Sequence, residues 1–143
     1  VKQQLLIVDD EPEIREMLER YFRMQGYETT VAADGVEGLA ALADGNIRVI
    51  ISDIMMPNMD GIEMLRRISS DFPFVRVIMI TGYVTLLNAL SCMRHGARTC
   101  VFKPLSDLTE LSSEVDGAFQ ELERWEAKLM ELRGLKPEVA EVP

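Results

Sequence analysis

A tandem acidic pair, Asp9-Asp10, closes a short apolar run, and three other apolar runs end in Ser52-Asp53, Thr81-Gly82 and Lys103-Pro104. Three carboxylates brought together repel one another and raise each other's pKa unless a cation offsets them. A hard divalent ion answers that need. Mg2+ takes a few carboxylate oxygens and leaves room for water and a phosphate oxygen, so Asp9, Asp10 and Asp53 suit it, with the backbone carbonyl of Met55 as a further ligand. One carboxylate of such a set can attack phosphorus and become an acyl phosphate. The charge on the equatorial oxygens is then met by Mg2+, the ammonium of Lys103 and the hydroxyl of Thr81.

Each residue alone has a plainer reading. Asp10 with Glu13 three later imitates a capping box, and Pro12 suits a helix first turn. Asp53 can be a loop acid, Thr81 a turn former before Gly82, and Lys103 a solvated surface charge. The coincidence weighs against these readings, because four separate strand ends carry an acid pair, an acid, a hydroxyl and a Lys-Pro in one chain.

Elements that could bring those ends together follow from the hydrophobic pattern. The runs Leu5 to Val8, Thr29 to Ala32, Val49 to Ile51, Val75 to Ile80 and Thr99 to Phe102 read as strands. Between them, Pro12 to Gln25, Val36 to Ala43, Ile62 to Phe72 and Thr85 to His95 carry apolar residues at three-and-four spacing and read as helices, and a fifth helix follows Pro104. Strict alternation predicts an α/β fold, a doubly wound five-stranded parallel sheet with helices on both faces. Ligands in such sheets bind beyond the carboxyl ends of the strands, where the strand order reverses. Under the order 2-1-3-4-5 the first and third strands flank that point. The second strand, whose end is the unreactive Ala32-Ala33, becomes a remote edge.

The chain has 143 residues, 48% of them hydrophobic, enough for one domain with a modest appendage. Its 15 Lys and Arg against 24 Asp and Glu give a net charge of -9, which repels a nucleic-acid backbone and argues against direct nucleic-acid binding. No apolar run approaches the roughly 20 residues of a membrane-spanning helix, so a soluble protein without membrane contact is expected. Cys92 and Cys100 lack CxxC spacing and a signal peptide and read as buried thiols in a reducing cytoplasm. The sequence begins without Met and ends in a Pro-bounded tail, as a piece of something longer would.

Taken together, Val8-Asp9-Asp10-Glu11-Pro12, the run Ser52-Asp53-Ile54-Met55-Met56-Pro57-Asn58-Met59-Asp60-Gly61, Thr81-Gly82 and Phe102-Lys103-Pro104 resemble the response-regulator receiver family, in register and in order over about residues 3 to 120. The resemblance implies a flavodoxin-like fold, a topology for which a chemotaxis member of the same family is a standard example. It implies that Asp53 takes a phosphoryl group from a sensor histidine kinase, a phosphotransfer protein or a small phosphodonor. It further implies that Asp9 and Asp10 hold Mg2+, that Lys103 and Thr81 bind the phosphoryl oxygens, and that the Lys103-Pro104 bond is cis. Receivers usually carry Tyr or Phe three residues before the lysine, as a ring that moves with the threonine. Here that position is Cys100, so the switch set is Thr81 and Cys100, with Tyr83 read either as a compensating ring or, more plainly, as an exposed loop aromatic.

Three rivals share parts of the pattern. An aspartyl-nucleophile phosphatase of the haloacid dehalogenase type needs a D-x-D motif, which Asp9-Asp10 does not supply. A flavin or nucleotide module wants a Gly-rich or Ser/Thr-rich loop after the first strand, where this chain has Asp-Asp-Glu-Pro. A pseudo-receiver lacks the acid set or the lysine.

The last helix is expected from Asp107, with Glu110 three residues on as its capping partner, to Arg133, roughly 39 Å at 1.5 Å per residue. Leu108, Leu111, Val115, Ala118, Leu122, Trp125, Leu129 and Leu132 are spaced alternately by three and four, a heptad seam longer than one sheet face can cover. The expectation is a receiver domain over residues 1–120 and an extension over 121–143. A homodimer is expected to form through Leu122, Trp125, Leu129 and Leu132, against a plainer reading in which Leu108 to Leu122 pack on the receiver and the remainder is an amphipathic linker.

Overall fold

A computed structural model describes residues 2–82 and 85–134. The elements alternate throughout: β1 (Gln4–Val8), α1 (Pro12–Met24), β2 (Glu28–Ala32), α2 (Gly35–Ala43), β3 (Val49–Asp53), α3 (Gly61–Asp71), β4 (Arg76–Thr81), α4 (Leu86–Arg94), β5 (Thr99–Phe102) and α5 (Thr109–Arg133). All strands are parallel, in the order β2-β1-β3-β4-β5, with Val8 level with Ser52 and Thr81 level with Phe102. This is the doubly wound sheet read from the alternation. Tyr83 lies outside the described residues, as does the tail from residue 135.

Successive strand residues face opposite sides, and here both sides are buried, which is why the strands read as continuous apolar runs. Leu5, Ile7, Val49, Ile51, Ile78 and Ile80 pack with Leu18 and Phe22 of α1 and Leu111 and Val115 of α5. Their neighbours Leu6, Val8, Ile50 and Met79 pack with Leu42 of α2, Leu65 and Ile68 of α3 and Cys92 of α4. Each fully buried side chain of this size contributes about 1.5–3 kcal/mol, so the central strands are held from both faces.

The plainer capping reading of Asp10 is excluded, and the start expected for α5 is corrected. At α1 the N-cap is Glu11, without a side-chain cap bond, and Pro12 fills the first turn, so the Asp10–Glu13 box does not form. At α5 the helix starts at Thr109 with Leu108 as N-cap, because Asp107 Oδ1 accepts the Thr109 N–H at 2.9 Å in a local turn ahead of the helix. The buried-thiol reading holds for Cys92 and fails in part for Cys100, which is only half-buried on the outer strand β5.

The long helix is present, with 25 residues, roughly 37 Å. Its seam divides sharply. Leu111, Val115, Ala118 and Leu122 are buried, whereas Trp125, Leu129 and Leu132 are 54%, 38% and 40% exposed. Leu122 therefore belongs to the core of the sheet and not to a surface for a second copy, correcting its place in the expected dimer seam. Polar contacts fasten the same half of α5. Glu121 takes Arg76 at 2.8 Å and Arg98 at 2.6 Å, Arg98 also lies 3.4 Å from Glu114, and the Tyr27 hydroxyl donates to Asp116. Gly117 sits under Arg98, whose Nη2 would lie 2.8 Å from an added Cβ.

Gly61 is required by close approach. A Cβ there would stand 2.1 Å from the Asp53 carbonyl oxygen and 2.9 Å from the Met79 methyl. Backbone cannot yield as a side chain can, so Gly61→Ala is expected to cost at least about 3 kcal/mol in urea unfolding and to displace the end of β3. A stability loss within 0.5 kcal/mol, the usual span of a surface substitution, would contradict that account.

Candidate functional site

The polar strand ends meet where β1 and β3 diverge. Asp9 follows β1, Asp53 ends β3, Thr81 ends β4 and Lys103 follows β5, so the sheet's parallel register delivers all four to one edge. Carboxylate oxygens of Asp9, Asp10 and Asp53 lie within 4.8 Å of one another. Lys103 reaches into the group from the opposite side: its Nζ is 2.9 Å from Asp53 Oδ2, 3.1 Å from Asp9 Oδ2 and 3.2 Å from Glu11 Oε1. The Lys103-Pro104 bond is cis.

Each acid is held differently. Asp53 Oδ1 accepts the Ile54 N–H at 2.7 Å, and Oδ2 accepts from Lys103, so both oxygens have fixed directions. Asp9 Oδ1 accepts the Glu11 N–H at 2.8 Å, and the Asp9 carbonyl accepts from Arg15 at 2.7 Å. Its Oδ2 is buried without a hydrogen bond, since the nearby ammonium is close but poorly aligned. Asp10 is exposed. Burial pushes the Asp9 carboxyl up, and the charge of Asp53 adds to this against the opposing Glu11 N–H and Lys103. At Lys103 burial disfavours the charge, but the hydrogen bond to Asp53 and the charges of Asp53 and Asp9 outweigh it and hold the ammonium above its ordinary value.

Such a pocket can take a divalent cation. It has three hard oxygen donors, an unsatisfied buried carboxylate oxygen, and an Asp9 whose ionisation is opposed until positive charge arrives. Met55 lies two residues past Asp53 in the β3–α3 loop with its side chain exposed. Thr81 is buried at the end of β4, and its carbonyl accepts the Lys103 N–H at 2.9 Å. Cys100 lies further down β5, level with Met79, and its thiol is pushed up to about 11 by burial, with the charges of Cys92 and Asp53 adding to it. It is neutral at physiological pH.

Sequence reading missed the residues that hold this geometry. The β3–α3 loop is pinned by Asn58, at φ 65, whose side-chain amide donates to Asp34 Oδ2 at 2.7 Å. Asp34 Oδ1 meanwhile caps α2 through the Glu37 N–H, and those two bonds hold its carboxyl below the usual carboxylate range. An Asp ahead of a Gly and an apolar helix suits an N-cap, but nothing near Asp34 in sequence marks its second bond, to a loop 24 residues on. Glu11 and Arg15 were likewise invisible as parts of the pocket.

A family model described as the response regulator receiver domain matches residues 5–116. Regulatory protein AtoC of Escherichia coli is 41% identical over 116 residues, covering 81% of this chain and 25% of that protein. The DNA-binding transcriptional regulator NtrC of Salmonella typhimurium is 38% identical over 112 residues, 78% of this chain and 24% of that one. The chain thus spans about a quarter of the length of these two curated relatives. Among solved structures, a CheY-like receiver domain protein from Methanospirillum hungatei superposes with a TM-score of 0.83 at 30% identity, covering 87% of this chain and 98% of that one. The response regulator TrrA from Thermotoga maritima, solved in complex with Mg2+ and beryllofluoride, gives 0.74 at 33% identity over 81% and 98%.

Proposed function

Because the chain belongs to the response-regulator receiver family of two-component signalling, its receiver match spanning residues 5–116, we propose that Asp53 accepts a phosphoryl group with the help of Mg2+. The single observation carrying this reading is the placement of Asp53 between the Asp9 and Asp10 carboxylates and the Lys103 ammonium. Mg2+ supplies charge neutralisation at the phosphoryl oxygens; Asp9, Asp10, Asp53 and the Met55 carbonyl would hold it. Lys103 and Thr81 bind the phosphoryl oxygens. The donor is a sensor histidine kinase or a phosphotransfer protein, and the output is a change in what the domain binds. With Cys100 where a switching ring usually stands, Thr81 moves against a smaller side chain, and Tyr83 is the remaining candidate for the ring.

We also assign the exposed stripe Trp125, Leu129 and Leu132 to a second copy of the chain, so that the receiver acts on a homodimer. Among the described residues no helix is long and apolar enough to cross a membrane. The acidic balance of the chain supports no direct role in contacting nucleic acid.

Thermal unfolding tests the metal and phosphoryl assignments together. Mg2+ alone is expected to raise Tm, and beryllofluoride, which mimics the phosphoryl group, to raise it further only with Mg2+ present. Saturation at about 100 times Kd adds about 2.7 kcal/mol, a rise on the order of 10 °C for a domain of this size. The Mg2+ gain requires ionised carboxylates. Asp9, raised above its ordinary value by burial, takes up its proton earlier as pH falls, so the gain disappears on acidification ahead of that of an ordinary aspartate. A beryllofluoride effect of equal size in chelator would refute the assignment.

A further inference from the structure

Lys103 has three N–H donors, and three carboxylates already surround it: Asp53 Oδ2, Asp9 Oδ2 and Glu11 Oε1, at 2.9, 3.1 and 3.2 Å. Two of its donors are hydrogen-bonded, to Asp53 and Glu11, so a phosphoryl oxygen arriving at the lysine competes with these carboxylates for the ammonium. Asp53 is the acceptor itself, and Asp9 is fully buried with its Oδ1 and carbonyl oxygen tied to Glu11 N and Arg15. Glu11 is different in kind. Its side chain is 60% exposed, it makes no cap bond to α1 although it occupies the N-cap position, and Lys103 holds its carboxylate.

Resting on the phospho-acceptor reading, we propose that Glu11 is a placeholder that occupies the phosphoryl-binding direction of Lys103 in the resting state and sets the receiver's preference among phosphodonors. A small anionic donor must push this carboxylate off the ammonium and approach against its charge. A donor protein that pairs with Glu11 from outside removes both obstacles at once. Glu11 is thus a specificity-determining residue at the mouth of the pocket. Once released by phosphorylation, it becomes a free acidic side chain at the start of α1, a surface difference between the two states.

The reaction itself needs no further reagent. With acetyl phosphate, an oxygen of Asp53 forms the new O–P bond, the bridging P–O bond breaks, and its electron pair leaves with acetate, so no proton has to be moved. Phosphorylation rates are measured by intact mass for the whole chain as wild type, Glu11→Gln and Glu11→Ala. Mg2+ is raised until the rate no longer responds, which removes any change in metal affinity from the comparison. Both variants are expected to react about fivefold faster than wild type at low ionic strength, as one unit of repulsion at this distance gives in a largely aqueous setting. The margin is expected to shrink toward none near 1 M salt, where the screening length falls to about 3 Å. Equal or slower rates in both variants overturn the proposal while leaving Asp53 as acceptor. A gain in Glu11→Ala alone, or one indifferent to salt, also overturns it, since that marks a steric effect. No phosphoryl group on any of the three chains overturns the acceptor reading and this one with it.

Discussion

Incubated with acetyl phosphate and Mg2+, the intact chain is expected to gain the mass of one phosphoryl group, and Asp53→Asn is expected to gain none. The three carboxylates of the pocket are not equivalent. Asp9 is wholly buried and lacks a surface by which phosphorus can reach it, while Asp10 is exposed and is absent from the contacts of Lys103. Asp53 keeps a small exposed area and has its two oxygens aimed by Ile54 N–H and Lys103. Charge developing on the transferring group meets the ammonium at Asp53, so Lys103→Ala should slow the reaction by about 10²-fold without moving its site. Modification that persists undiminished in Asp53→Asn would remove the central residue of the proposed function.

Dissociation of the dimer is the second large effect expected. Trp125, Leu129 and Leu132 follow one another at spacings of four and three, so they share one face of α5, and that face is open among the described residues. Two copies bring six such side chains, each already about half buried, so covering what remains is worth roughly 4–8 kcal/mol, a little under half of the 1.5–3 kcal/mol for full burial of each. The loss of translational and rotational freedom takes about 4–15 kcal/mol, so these contacts alone give weak association, which sedimentation should detect at concentrations approaching about 1 mM. Because Leu122 is part of the core, a shortened chain must end after Glu123 to keep its fold. That chain and a Trp125→Glu, Leu129→Glu double variant are expected to sediment as monomers beside a dimeric intact chain. Identical sedimentation of all three, with and without beryllofluoride, would take the helix out of the assembly.

What sequence could and could not disclose follows from the range of the interactions involved. The sheet was legible because burial on both faces makes each strand a continuous apolar run, and because polar types at four strand ends have no packing reason to be there. Asp9, Asp53, Thr81 and Lys103 could be placed in one pocket on that ground alone. The Glu11 to Lys103 contact spans 92 positions and leaves no periodic trace. Asp34 has one local role that its neighbours announce and one distant role, to Asn58, that they do not. The seam of α5 misled about Leu122 because heptad spacing continues unchanged through the point where the sheet ends. Only the position of the sheet decides which leucine is core and which is surface. At Asp107 the sequence offered a cap, but the side chain satisfied the Thr109 N–H in a turn before the helix began.

The fastening of α5 by Arg76, Arg98 and Tyr27 makes the rest of that helix a lever. From Glu123 to Arg133 the rod extends roughly 16 Å beyond its bearing, so each degree of tilt at the sheet displaces the tip by roughly 0.3 Å. The bearing rests on the starts of β4 and β5, the same strands whose far ends carry Thr81 and lead to Lys103. Glycine and proline would absorb such torque, and neither occurs between Ala118 and Arg133. Gly117, the helix's sole weak link, lies inside the bearing beneath Arg98, so leverage gained at the sheet reaches the tip without passing through a hinge.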